Sequence, residues 1–201
     1  MKKTIRYAAL ICLVLLCILA AAGCADKPRK PTYTPGTTAD KTQTIETIPV
    51  PDSFVRHTVE DFAINVPDSF TRFTSGDQKN LLALTDERAQ VYVRKCVPAD
   101  TGTDASYFET LDAAEYCELF CDLSGLTERE ALPTRQRRVA GVRYTVPGDS
   151  DETTAVFSLY FVKDADHGCV WMIKCRCTLV DLGTYEDTFG LVADLCSIGA
   201  E

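Results

Sequence analysis

The sequence predicts an α+β fold in which an antiparallel β-sheet is flanked by helices. Segments of alternating apolar and polar residues, typical of half-buried strands, recur between residues 62 and 178. Two other segments carry apolar residues at the spacing of an amphipathic helix, and short polar turns join neighbouring strand segments as in hairpins. Runs of strands that are each followed by a helix favour helices packed on an antiparallel meander over parallel βα units.

The first strands are predicted at residues 62–66, 81–85 and 89–97. Pro67 ends the first strand, and the three charged residues 86–88 between the other two are short enough for a hairpin turn. The third strand places three valines on one face, namely Val91, Val93 and Val97. Later in the chain, longer strands are predicted at 136–146, 153–163 and 169–178, with a polar hairpin turn at 164–168.

Two helices are predicted, one after each run of strands. The first follows Thr110, which can cap it, and ends at Gly125. Its apolar positions follow the helical period: Ala113, Tyr116, Cys117, Phe120 and Leu123. Its opposite face is acidic: Asp112, Glu115, Glu118 and Asp122. The second helix is predicted at the C-terminus from the spacing of Tyr185, Phe189, Val192 and Cys196.

Residues 1–23 have the layout of a signal peptide. Three basic side chains come first, and an apolar run over residues 7–22 follows that is shorter than the about 20 residues needed to span a bilayer. The small residues before Cys24 resemble the lipobox of bacterial lipoproteins. That resemblance implies cleavage before Cys24, a lipid on its sulfur and attachment at the extracytoplasmic face of the cell membrane. An ordinary secretory signal and an uncleaved single-span anchor are the alternatives.

Composition divides the rest of the chain in two. Residues 24–52 are rich in proline and threonine, which predicts an extended linker, and residues 53–201 form one predicted domain. This domain carries 25 acidic and 14 basic side chains, a net charge of −11 against −8 for the whole chain. A domain this acidic is not expected to bind nucleic acid or anionic lipid headgroups. The lipid on Cys24 is therefore the predicted membrane contact.

Two segments of the domain resemble the PsbP-like family. Residues 62–70 read as a strand, a proline and an aromatic residue, and residues 141–144 match a strand of that family. The resemblance covers most of residues 57–198. It implies a central antiparallel sheet between helices and a role that is usually non-enzymatic. The family includes an extrinsic subunit of photosystem II, a nuclear-import factor that binds a small GTPase, and bacterial lipoproteins, but none of their functional residues matches a residue in this sequence.

The domain contains seven cysteines, and five of them occupy predicted core positions. The seven are Cys96, Cys117, Cys121, Cys169, Cys175, Cys177 and Cys196. Three of them share a strand face with Trp171, which is itself predicted to lie in the core. Both unpaired core thiols and structural disulfides fit this pattern, although an odd count leaves at least one thiol unpaired within the chain. None of the spacings is Cys-x-x-Cys, so neither redox catalysis nor a zinc site is expected, and no cofactor is predicted.

Other chemistry-bearing residues have simpler explanations. His57 and His167 are expected at the surface, and the sequence has no Gly-x-Ser-x-Gly motif for a nucleophile. The acidic turns lack the ligand spacing of a calcium loop; they contain Asp149, Asp151, Glu152, Asp164 and Asp166.

One basic concentration stands out in the acidic domain: Arg135, Arg137, Arg138 and Arg143. It predicts either charges that protect a sheet edge or a patch for a protein partner. The sequence therefore predicts a membrane-anchored, non-catalytic binding or assembly module. An exported enzyme with thiol or metal chemistry, and a small-ligand carrier with a pocket between sheet and helix, are the alternatives.

Overall fold

The computed structural model describes residues 48–199, and its centre is a seven-stranded antiparallel sheet. In chain order the strands are β1 (Phe54–Val59), β2 (Phe62–Pro67), β3 (Thr71–Arg72), β4 (Leu82–Thr85), β5 (Gln90–Cys96), β6 (Glu130–Leu132), β7 (Val139–Val146), β8 (Ala155–Asp164), β9 (Cys169–Thr178) and β10 (Ser197–Ile198). The large sheet has the order β3-β4-β5-β9-β8-β7-β6, and a small sheet has the order β1-β2-β10.

Four helices lie in the connections between these strands. They are α1 (Pro98–Thr101), α2 (Ala105–Thr110), α3 (Ala113–Leu123) and α4 (Leu182–Asp194). Every strand pairing in both sheets is antiparallel. The predicted α+β class, an antiparallel sheet flanked by helices, is therefore confirmed.

The large sheet buries side chains on both of its faces. One face packs against α4 and the small sheet, and Trp171 of β9 lies at the centre of this layer beside Phe62 of β2. On the other face, α2 and α3 cover part of the sheet, where Phe161 contacts Tyr116 and Phe120 of α3. Within residues 48–199, the side chains of these two cores lie between the sheet and the helices, where a small-ligand carrier would need its pocket.

The start of α3 differs from the sequence prediction. Asp112, not Thr110, is the N-cap: its Oδ1 accepts a hydrogen bond from the Glu115 backbone at 2.8 Å, and Glu115 Oε2 accepts one from the Asp112 backbone at 3.0 Å. Thr110 is the last residue of α2, and its hydroxyl donates to the Tyr107 carbonyl. The reciprocal bonds form a capping box, which satisfies two backbone donors that the helix leaves free.

Four other sequence predictions were wrong in detail. Cys196 follows α4 rather than lying on it, although it is buried. Val97 is 38 % exposed, because β5 ends at Cys96 and does not extend the valine face. The strand predicted from residue 136 begins at Val139, since the preceding residues form a turn closed by a hydrogen bond from the Val139 backbone to the Gln136 carbonyl. His57 does not precede the first strand but lies within β1, opposite Ile64.

Within residues 48–199, no helix has the length and apolar character needed to cross a bilayer. The predicted signal peptide, Cys24 and most of the predicted linker lie outside the described residues.

Candidate docking surface

Three of the four predicted patch arginines lie together in the loop between β6 and β7. We call Arg135, Arg137 and Arg138 the arginine loop. The Arg135 backbone donates to Asp194 Oδ1 at 3.0 Å, and its Nε lies 3.5 Å from the other carboxylate oxygen. Arg138 donates to the Gln136 side chain at 3.0 Å. The loop is thus fixed to the end of α4, and two of its guanidinium groups already have polar partners.

Arg143 lies apart from the arginine loop, in the middle of β7. Its side chain is only 11 % exposed, and its guanidinium is 2.8 Å from Glu186 Oε1 on α4 and 3.5 Å from Glu130 Oε2 on β6. Such a partly buried bridge between two carboxylates orients neighbouring elements. In this position Arg143 links β7 to α4 and to the neighbouring strand β6.

The turn between β8 and β9 contains an aspartate–histidine pair. The buried carboxylate of Asp164 accepts hydrogen bonds from His167 Nδ1 at 3.0 Å and from Trp171 Nε1 at 3.2 Å. Burial raises the pKa of Asp164, but these hydrogen bonds outweigh it and hold the pKa below its ordinary value. Beside the turn is a surface depression of about 400 Å³, lined by Glu109, Lys163, Ala165, Asp166, His167 and Gly168.

This lining contains no serine, threonine or cysteine that His167 could activate as a nucleophile. No group of three or more His, Cys, Asp or Glu side chains within residues 48–199 is arranged to hold a metal ion. The geometry of Asp164 therefore fits a structural role, in which it closes the hairpin and anchors the ring of Trp171.

All seven cysteines of the described chain are buried, and none of them forms a disulfide with another. Burial raises the pKa of their thiols, to about 12 for Cys117, Cys169 and Cys196 and to about 11 for Cys177. A catalytic thiol needs the opposite environment, accessible and with a lowered pKa. The arrangement fits core packing.

We therefore expect these seven thiols to resist iodoacetamide at neutral pH in the folded protein and to react in urea. There are two physical reasons: iodoacetamide cannot reach the buried sulfur atoms, and only a small fraction of each thiol is present as the reactive thiolate. Mass spectrometry of the alkylated peptides assigns each site separately from the cysteines of residues 1–24. Modification of any of the seven within minutes under native conditions would instead favour the thiol-enzyme alternative.

Next to the core under α2 and α3, the same face of the large sheet carries half-buried aromatic side chains and two basic ones, and Tyr144 lies at the edge of that core. Strand register places Arg176 of β9, Phe157 of β8 and Tyr144 of β7 side by side in one row. The next row pairs Lys174 of β9 with Tyr92 of β5. We call this area the open half, and it comprises Tyr92, Tyr144, Val146, Phe157, Lys174 and Arg176.

The side chains of the open half form two groups of contacts, one around Phe157 and one at Tyr92. The rings of Tyr144 and Phe157 are stacked with centroids 5.0 Å apart and planes at 12°. The Arg176 guanidinium lies 5.9 Å from the Phe157 centroid, and the Lys174 ammonium lies 4.6 Å from the Tyr92 centroid. Each of these three rings thus has a stacked ring or a cation as its neighbour.

The two cations of the open half are Lys174 and Arg176, and Arg176 donates a hydrogen bond to Gln90 Oε1 at 3.2 Å. None of the ion pairs formed within residues 48–199 includes Lys174 or Arg176. Burial lowers the pKa of Lys174 because it dehydrates the ammonium, and the negative charge of Asp77 offsets this only in part. A negatively charged partner on the open half would compensate further.

Sequence reasoning missed the open half. The valine face predicted for the strand at 89–97 leaves Tyr92 on the opposite face, which was the available signal. The order of β5, β9, β8 and β7 in the sheet brings Tyr92 to the same face as Lys174, Arg176 and Phe157, and that order cannot be read from a single strand.

No family model and no curated protein matches the chain. Solved structures similar to it include Mog1p, a Ran-binding protein of Saccharomyces cerevisiae, with 13 % identity over 73 % of this chain and 96 % of that one and a TM-score of 0.48. Another is a PsbP protein, CyanoP of Synechocystis, with 12 % identity over 73 % of this chain and 92 % of that one and a TM-score of 0.44.

A third is a protein of Bacteroides thetaiotaomicron, with 10 % identity over 70 % of this chain and 46 % of that one and a TM-score of 0.48. Identities and TM-scores this low carry no argument about partners or activity. The fold class rests on the strand pairing of the chain itself, and membership of the PsbP-like family stays a prediction.

Proposed function

We propose that this chain is a lipid-anchored extracytoplasmic binding module that docks an acidic protein partner and catalyses no reaction. The observation that carries the proposal is the open half, where Lys174 and Arg176 lie over aromatic rings and form no ion pair with any residue from 48 to 199. This basic area belongs to a domain with a net charge of −11, so it differs in charge from the rest of the surface. Arginine and aromatic side chains are enriched in protein interfaces, which supports a protein partner.

The membrane anchor in this proposal is a lipid on Cys24, followed by the linker of residues 24–52. The predicted patch of Arg135, Arg137, Arg138 and Arg143 stays a second candidate contact. Arg137 is the member best suited to it, because it is exposed and makes no hydrogen bond or ion pair within residues 48–199.

The anchor is tested by feeding an alkyne-labelled fatty acid to a bacterial host that makes the full chain. We expect the label on the wild-type chain and on the Cys17→Ser control, and we expect Cys24→Ser to lose it, because the thioether can form only at the lipobox cysteine. Equal labelling of the Cys17→Ser and Cys24→Ser chains would contradict the anchor.

The docking surface is tested with a photoreactive amino acid at Val146 in the open half. Val55 on β1 is the matched control, since the two valines are 47 % and 46 % exposed. We expect specific protein crosslinks from position 146 that disappear with Lys174→Glu and Arg176→Glu. Crosslinks that are the same from both positions, or that survive the charge reversal, would overturn the assignment of this surface.

A further inference from the structure

We infer that the partner on the open half is a second copy of this chain, which inserts α3 beside the α3 of the first. The inference rests on the proposed function of the open half as a docking surface. A second copy is the partner that fits the charge and the shape of this sheet face.

α3 and the open half lie on the same face of the large sheet. Phe161 contacts α3 through Tyr116 and Phe120, with ring centroids 5.5 and 5.2 Å apart. Phe157 lies on the same strand four residues earlier and therefore faces the same side. On this face α3 covers the strands around Phe161 and Tyr144 lies at the edge of that core, whereas Val146 and Arg176 are exposed. The face therefore has a part raised by the helix beside a lower, more exposed part.

A two-fold axis lets two such steps interlock. The helix of each copy then covers the bare half of the other, and both contacts form at once. This is the isologous arrangement that most homodimers use, in which one surface patch is complementary to itself.

The exposed side of α3 and the open half carry opposite charges. Three carboxylates lie at helical spacing on the side of α3 that points away from the sheet, and we call them the outer ridge: Glu115, Glu118 and Asp122. The side chains of Glu118 and Asp122 are 66 % and 73 % exposed. Their partner within the described residues is Arg129, which pairs with both of them, so the ridge keeps a net negative charge. It complements Lys174 and Arg176.

Both surfaces also expose an apolar side chain beside their charged groups. Leu123 at the end of α3 is 59 % exposed, and Val146 in the open half is 47 % exposed. Exposed apolar side chains next to both charged groups are typical of interfaces, where apolar contact supplies affinity and charge supplies register. The proposed dimer covers both side chains.

The test uses two differently tagged full-length chains, co-expressed in a bacterial host, extracted in detergent and captured through one tag. We expect the wild-type copies to be captured together. Reversal of the open half by Lys174→Glu with Arg176→Glu, or of the outer ridge by Glu118→Lys with Asp122→Lys, should each lower co-capture about tenfold or more. Arg56→Glu with Arg72→Glu is the matched control, since it changes the charge equally on exposed side chains of β1 and β3.

The decisive sample mixes the two reversed chains. In the mixed pair, the acidic open half of the first chain contacts the basic outer ridge of the second. The basic open half of the second chain contacts the acidic outer ridge of the first. Both contacts again join opposite charges, so we expect co-capture to return. A single chain with all four substitutions should also pair with itself, which rules out misfolding as the cause of the losses.

Failure of the mixed pair to recover overturns the dimer. If the open-half reversal in that case still abolishes crosslinks from position 146 to another protein, or to residues 1–47 of the chain, that occupant is the partner instead. If the open-half reversal changes no crosslink and no capture, the proposed function fails together with the dimer.

Discussion

Trp171→Ala is expected to lower the free energy of unfolding by about 3–5 kcal/mol. The Trp171 side chain is fully buried, and its ring stacks on Phe62 with centroids 4.8 Å apart and planes at 9°. Because Trp171 belongs to the large sheet and Phe62 to the small one, the substitution opens a cavity where the two sheets meet. It also removes the indole N–H that donates to the buried carboxylate of Asp164.

Urea unfolding followed by circular dichroism measures this loss. Trp171→Phe should cost less, about 1–3 kcal/mol, because it keeps the aromatic contact with Phe62 and removes mainly the hydrogen bond. Tyr107→Ala is the control: this side chain is 53 % exposed, and its removal should change stability by no more than about 0.5 kcal/mol. A Trp171→Ala protein as stable as the Tyr107→Ala protein would show that the indole does not hold the sheets together.

The central strands could be predicted because buried strands require apolar residues at regular positions in the sequence. The prediction for β9 has the observed bounds: its cysteines alternate with other residues around Trp171, and a turn limits each end. The missed strand β1 lies at the edge of the small sheet and is mostly exposed, so its side chains follow no clear alternation. The strands β3, β6 and β10 are two or three residues long, which is too short for any period to show.

The candidate site was harder to predict, because it depends on which strands are neighbours. Sequence reasoning grouped Arg143 with the arginine loop since they are close in the chain. In the fold its guanidinium contacts Glu186, 43 residues away. Conversely, Tyr92 and Lys174 are far apart in the chain and lie opposite each other across β5 and β9. The register and the order of the strands determine which residues meet in the open half, and neither can be read from local composition.

Asp164→Asn is the second substitution with a large expected effect, a loss of about 2–3 kcal/mol at neutral pH. The side chain of Asp164 is 2 % exposed, and its two oxygens accept from the ring and backbone of His167 and from Trp171. An asparagine fills the same space, but its amide N–H₂ must point at one of these donors and leaves it unsatisfied. Asp166→Asn in the same turn is the control, because Asp166 is exposed and makes no hydrogen bond within the described residues.

The effect of Asp164 should also depend on pH, in a direction that its hydrogen bonds fix. Its pKa in the folded protein lies below the ordinary aspartate value of about 3.9, because the bonds from His167 and Trp171 outweigh burial. Its contribution to stability is therefore complete above the unfolded pKa, and it is lost as the pH falls through the lower folded pKa. The stability difference between wild type and Asp164→Asn should be constant near neutral pH and shrink below about pH 4.

Trp171 is the only tryptophan in the chain and a direct hydrogen-bond partner of Asp164, so its fluorescence reports unfolding and the local contact together. In Asp164→Asn the emission should change in the folded state, whereas in Asp166→Asn it should not. If wild type and Asp164→Asn lose stability in parallel below pH 4, other carboxylates govern acid unfolding and the turn is not held by this charge. If the difference shrinks as expected, the charged carboxylate of Asp164 stabilises the turn between β8 and β9 through its hydrogen bonds to His167 and Trp171.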